Sequence, residues 1–150
     1  MVQENDPAPD FELTADDGSR VRLSEQRGTK VVLFFYPRAD TPGCTVEACG
    51  FRDLMPRIEK EGAVVFGLSP DPVEAVRKFR DKFGLPYRLL ADQDHTVAEA
   101  YGVWQEKSTF GVRHMGVVRT TFVVDEQGRV ERVFRGVKPE GHAEEVLAVL

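Results

Sequence analysis

The chain has two cysteines, Cys44 and Cys49, and both fall in the stretch TPGCTVEAC that begins at Thr41. A thiol reacts as its anion, so the question is whether these residues build a place that favours negative charge. Thr41 suits a helix N-cap. Pro42 suits the first helical position, because its ring fixes φ and it has no N–H to leave unpaired. Gly43 lets backbone approach closely. Cys44 is then placed in the first helical turn, beside unpaired N–H groups and the positive end of the helix dipole, where thiolate is favoured over thiol. The pattern implies a reactive sulfur.

Downstream, Phe51, Met55 and Ile58 recur at spacings of four and three, and seven residues before Phe51 stands Cys44. Cys44 therefore faces the same apolar side, at the mouth of the core. Cys49 lies about 140° around the helix and roughly 8 to 9 Å away between Cα atoms. A disulfide needs less than about 7 Å, so a bond between the two requires the first turns to unwind. Pro56 is expected to kink or split the helix near Met55, confining that unwinding to the half that carries the cysteines.

The helix needs a scaffold, and the rest of the chain supplies one. Its 150 residues, 41% hydrophobic and 30% charged, fit one globular domain over 1–150. VVLFFY (Val31 to Tyr36) and AVVFGLS (Ala63 to Ser69) are continuous apolar runs of strand length, as expected of central strands covered on both faces. Residues 120–125 and 129–136 read as a hairpin around Glu126-Gln127-Gly128, the second strand nearer an edge. FELTADDGSRVRL predicts two short strands around Asp17-Gly18. Helical patterns run from Thr41 to about Lys60, Pro72 to Phe83, Thr96 to Tyr101 and Pro139 to Leu150. This order predicts an α/β protein, a central mixed β-sheet flanked by helices with a short N-terminal β-hairpin, and fits a thioredoxin-like fold.

Several classes are set aside on composition. No apolar run approaches the roughly 20 residues of a membrane span. The start MVQENDPAPDF lacks both the basic and the apolar part of a secretory signal, so a cytoplasmic protein is expected. In a reducing compartment, two cysteines point to catalytic or redox use rather than a permanent bridge. The net charge of -5 shows no basic stripe for nucleic acid. His95, His114 and His142 are scattered without metal-ligand spacing and read as surface or capping residues, and no metal or cofactor is expected. Phe79 and Phe83 sit at helical spacing and read as core, and Tyr101, Trp104 and Phe110 as packing aromatics or a rim near the site.

Pro37-x-x-x-Thr41-x-x-Cys44 resembles the active-site motif of the peroxiredoxins, and TPGCTVEACGFRD is similar to their bacterioferritin comigratory (PrxQ-type) subfamily. The similarity continues through APDFEL, EGAVVFGLSPD, LPYRLLAD, AYGVW and RTTFVVDEQG. It departs at Glu74-Ala75, where the subfamily usually has Ser-His, and at Phe110, often Tyr. The resemblance implies a thioredoxin-like fold and a thiol-dependent peroxidase in which Cys44 is the peroxidatic and Cys49 the resolving cysteine, with Thr41, Pro37 and Arg119 completing the site. It implies reduction of hydrogen peroxide and organic hydroperoxides, a thioredoxin or similar dithiol protein as reductant, and a monomer.

In that reaction the thiolate attacks a peroxide oxygen to give a sulfenic acid, which condenses with a second thiol. Lowering a thiol pKa from about 8.5 to below 7 gains at most roughly 30-fold in thiolate, and nucleophilicity falls with it. Larger acceleration must come from donors that stabilise charge on the departing oxygen. Arg119, a permanent cation just before an apolar strand, is the candidate, with the Thr41 hydroxyl and the N–H groups of Gly43 and Cys44 beside it. Pro37 would shield the sulfur, and Glu47 is expected to help order the first turn. Two other functions share the scaffold: a thiol-disulfide oxidoreductase, which normally shows Cys-x-x-Cys, and a redox sensor whose helix unfolds on oxidation.

Overall fold

The computed structural model describes residues 1–150. The elements run β1 (Glu12–Ala15), β2 (Arg20–Arg22), β3 (Lys30–Phe35), α1 (Pro42–Lys60), β4 (Ala63–Ser69), α2 (Val73–Phe83), β5 (Arg88–Ala91), α3 (Thr96–Ala100), β6 (Trp104–Thr109), β7 (Val112–Val117), β8 (Thr120–Val124), β9 (Val130–Arg135) and α4 (His142–Leu147), with a 3-10 turn at Leu23–Gln26.

Seven strands form one mixed sheet in the order β2-β1-β5-β4-β3-β8-β9. β3 and β4 are interior and parallel to each other, and β8 runs antiparallel to β3. This is why their sequences read as unbroken apolar runs: alternate residues feed two different cores. Val31, Leu33 and Phe35 point to one face, packed with Phe11, Tyr101, Val103 and Phe122. Val32, Phe34 and Tyr36 point to the other, where α1, α2 and α4 contribute Cys44, Phe51, Ile58, Val76, Phe79 and Val146. As expected, β9 lies at an edge, and β1 with β2 forms the N-terminal hairpin, which joins the sheet through β5.

Two sequence expectations about these elements are corrected. α1 runs unbroken through Pro56, because sheet packing by Phe51, Met55 and Ile58 on both sides of it outweighs one missing hydrogen bond. α4 spans only His142–Leu147, since Gly141 at φ 75° holds the preceding chain out of helix. β5 and the separate two-stranded hairpin β6–β7 were not foreseen. No helix is long and apolar enough to cross a membrane.

Candidate active site

After β3 the chain turns through Tyr36 and half-buried Pro37 toward α1. Asp71, just past β4, holds this turn: its Oδ2 accepts from the Ala39 N–H at 2.8 Å and from the Ser69 hydroxyl at 2.7 Å. Thr41 has the extended backbone of an N-cap, φ -94° and ψ 156°. Its hydroxyl does not cap the helix, however, and donates instead to the Arg38 carbonyl at 2.8 Å, closing the 38–41 turn. The first intrahelical bond runs from the Thr45 N–H to the Thr41 carbonyl at 2.9 Å, so the N–H groups of Gly43 and Cys44 lie ahead of the helical ladder.

Cys44 is buried on the sheet side of α1, as its spacing from Phe51 predicts, and is a free thiol. Arg119 reaches it from the link between β7 and β8. One guanidinium arm, Nη2, donates to Cys44 Sγ at 3.3 Å, and the other, Nη1, to Glu47 Oε1 at 2.7 Å. Gly43 makes room for this cation, since a Cβ there would lie 3.3 Å from both Arg119 Nη2 and Pro139 Cγ. Burial works against the charge of Arg119, but Glu47 and Cys44 outweigh it and hold the guanidinium above its ordinary pKa. A planar fork suits this double contact in a way an ammonium does not.

Glu47 is tied to the first turn through Arg119, which bridges it to Cys44. It lies fully buried on the apolar stripe of α1, and burial, opposed by Arg119, pushes its carboxyl up to about 7. Its second oxygen, Oε2, has no hydrogen-bond partner and faces Nε2 of His142 at 3.9 Å. His142 is likewise buried rather than on the surface: Nε2 meets the Thr121 hydroxyl at 2.7 Å and Nδ1 the Glu145 carboxylate at 3.3 Å. Burial lowers its pKa, so the ring is neutral near pH 7. Sequence reading missed these partnerships. One signal was available for Glu47: an acid among Cys44, Ala48, Phe51 and Met55 on one helix face needs a buried partner.

Lys107 on β6 brings a second cation near the site, its Nζ donating to the Val117 carbonyl at 2.9 Å, and burial and then Arg119 lower its pKa. Of the rim aromatics, Tyr101 is core, Phe110 is exposed at the β6–β7 turn, and Trp104 stacks on His95 at 4.0 Å. Cys49, also a free thiol, is half-buried on another face of α1. The structure thus gathers Cys44, Gly43, Glu47 and Arg119, and leaves Cys49 apart. A sulfur at a helix N-terminus under a bridging guanidinium can attack an electrophile and have the charge it gives up received by fixed donors.

Known proteins share this arrangement of chain. Residues 5–133 match the AhpC/TSA family. The Bcp peroxiredoxin of Coxiella burnetii is 46% identical, over 99% of each chain, and that of Bacillus subtilis 46% identical, over 95% of this chain and 91% of its own. The solved bacterioferritin comigratory protein of Xanthomonas campestris, described in trapped intermediate and ligand complexes of alkyl peroxide reduction, superposes with a TM-score of 0.89 at 35% identity, covering 93% of this chain and 88% of that one. The family match over most of the chain, with 46% identity along nearly its whole length, means that the chain belongs to the AhpC/TSA family as a peroxiredoxin of the Bcp kind, a thiol-dependent peroxidase.

Proposed function

We propose that Cys44 is the attacking thiol and Arg119 its principal electrostatic partner. The thiolate attacks one peroxide oxygen: the S–O bond forms, the O–O bond breaks, sulfur gives two electrons, and the departing oxygen takes a proton to leave as water or alcohol. The observation that carries this reading is the fork of Arg119, with one arm on Cys44 Sγ and one on Glu47. Charge developing on the departing oxygen forms within reach of that cation and of the Gly43 and Cys44 N–H groups. The Thr41 hydroxyl, its own hydrogen engaged by the Arg38 carbonyl, accepts a hydrogen bond from the peroxide O–H and so orients it. Glu47 positions Arg119, and Pro37 shields the sulfur.

Cys49 then condenses with the sulfenic acid, forming a disulfide and water after the first turns of α1 unwind. A thioredoxin-type dithiol protein restores both thiols. The substrates are hydrogen peroxide and organic hydroperoxides, the latter supported by the alkyl peroxide reduction described for the Xanthomonas relative. The working unit is a monomer in the reducing cytoplasm, where both thiols stay reduced between turnovers.

The test is peroxide consumption with thioredoxin, thioredoxin reductase and NADPH. Cys44→Ser is expected to abolish turnover, and Cys49→Ser to stop after one turnover unless a small thiol is added. Oxidation of Cys44 without sustained turnover in the wild type would instead indicate a redox sensor, or a different reductant.

A further inference from the structure

The two halves of α1 are held by different means. The first turns depend on Arg119, through Cys44 and Glu47. From Ala48 onward the helix is gripped by the segment that joins α2 to β5. Tyr87, buried in that segment, donates its hydroxyl to the Ala48 carbonyl at 2.6 Å. Four residues further along α1, Arg52 Nη1 donates to the Phe83 carbonyl at 2.8 Å. These two bonds bracket Cys49, and the first is made to the very peptide whose nitrogen is that of Cys49.

Tyr87 is rigidly mounted. It precedes Arg88, which pairs with Phe66 of β4. Its ring meets Phe34 edge-on at 5.7 Å, and Phe34 stacks on Phe51 of α1 at 4.8 Å. Burial holds the phenol well above its ordinary pKa, so it remains a donor at every working pH. Unwinding that frees Cys49 must break this hydrogen bond and leave the hydroxyl without a partner in the core.

We propose that the Tyr87 hydroxyl is a latch on the Ala48–Cys49 peptide, a positioning contact that opposes release of Cys49 from α1 and sets how long the Cys44 sulfenic acid survives. It rests on reading Cys49 as the resolving thiol. Peroxide then has two fates for the sulfenic acid: resolution to the disulfide, or attack by a second peroxide to give sulfinic acid and one more water or alcohol. A slower latch favours the second.

The experiment compares the full-length wild type with Tyr87→Phe by rapid quench, trapping sulfenic acid and disulfide for mass spectrometry. The Phe ring keeps the packing, and the Ala48 carbonyl keeps its helical partner at Arg52, so the fold is retained. Sulfenic acid formation is expected to be unchanged and disulfide formation about 2- to 10-fold faster, the weight of one net hydrogen bond. Amide exchange at residues 49–52 should quicken, and more peroxide should be needed for sulfinic acid. Tyr101→Phe, which removes a comparable hydroxyl bonded to the Pro9 carbonyl at 2.7 Å, should leave the resolution rate alone. Disulfide formation at the wild-type rate or slower in Tyr87→Phe overturns the latch by itself. Absence of any Cys44–Cys49 disulfide in the wild type overturns the reading of Cys49, and the latch with it.

Discussion

Cys44 and Glu47, one turn apart on α1, end on the two arms of a single guanidinium, that of Arg119. The sulfur we propose as the attacking one and the buried acid behind it therefore share one cation, and the consequences can be measured by substitution around it.

Arg119→Lys keeps a charge but loses the fork, and an ammonium cannot meet both partners in the same geometry. The rate of Cys44 oxidation by peroxide should fall by about 100-fold or more, the usual weight of one fixed donor to developing charge. Stopped-flow peroxide kinetics on the reduced protein check this. A loss below threefold would remove Arg119 from the centre of the mechanism.

Gly43→Ala places a methyl 3.3 Å from Arg119 Nη2 and Pro139 Cγ. Either the guanidinium or the proline must shift by a few tenths of an ångström. Because catalytic geometry is unforgiving of such shifts, the oxidation rate of Cys44 should drop by about 10-fold, with little change in thermal stability. Equal losses in rate and in folding would show that the methyl disturbs the helix rather than the site.

Glu47 makes a prediction in pH. Its carboxyl is raised from 4.5 to about 7 in the folded protein, mainly by burial. Between those values the folded state binds the proton more tightly than the unfolded chain, so stability falls as pH rises, by about 3 kcal/mol across the window. Glu47→Gln lacks this loss. Urea unfolding of the reduced proteins at pH 4.5 and 7.5 should show the variant gaining on the wild type at the higher pH. Parallel curves would contradict the raised carboxyl.

His142 acts in the opposite direction. Burial lowers its folded pKa, with the Glu145 carboxylate opposing, so the unfolded chain takes up the proton first as pH falls. Stability contributed by the neutral ring is present above about pH 6.5 and is lost below it. His142→Asn should flatten that acid limb. Because His142 Nε2 faces Glu47 Oε2 at 3.9 Å, the double variant with Glu47→Gln is measured as well, which separates the two titrations.

Oxidation should lower the helix content around residues 42–52, since a disulfide cannot span the helical separation of Cys44 and Cys49. Circular dichroism of the reduced and peroxide-treated wild type reads this directly. In Cys49→Ser the same treatment should leave the helix content nearly unchanged, because no disulfide draws α1 apart.

The helix start at Thr-Pro-Gly-Cys, the stripe Cys44, Phe51, Met55, Ile58 and the two apolar strands were legible because they depend on neighbours within a few residues. The hairpin β6–β7 was not. Its strands WQEKST and VRHMGV are exposed on most sides, so they carry no alternation of apolar and polar residues to mark them. β5 is only four residues long, and His142 opens a six-residue helix, too short to reveal which face is buried.

Thr41, Cys44 and their place at a helix N-terminus were thus determined by the sequence alone, through backbone preferences and helical spacing. That Arg119 meets Cys44, 75 residues away, was decided by the antiparallel register of β3 and β8, which pairs Phe35 with Thr120 and so sets Arg119 beside the turn into α1. Glu47 found the same cation because its helix face is pressed onto that sheet. Such contacts follow from how strands align and layers pack, and no local pattern in a chain records them.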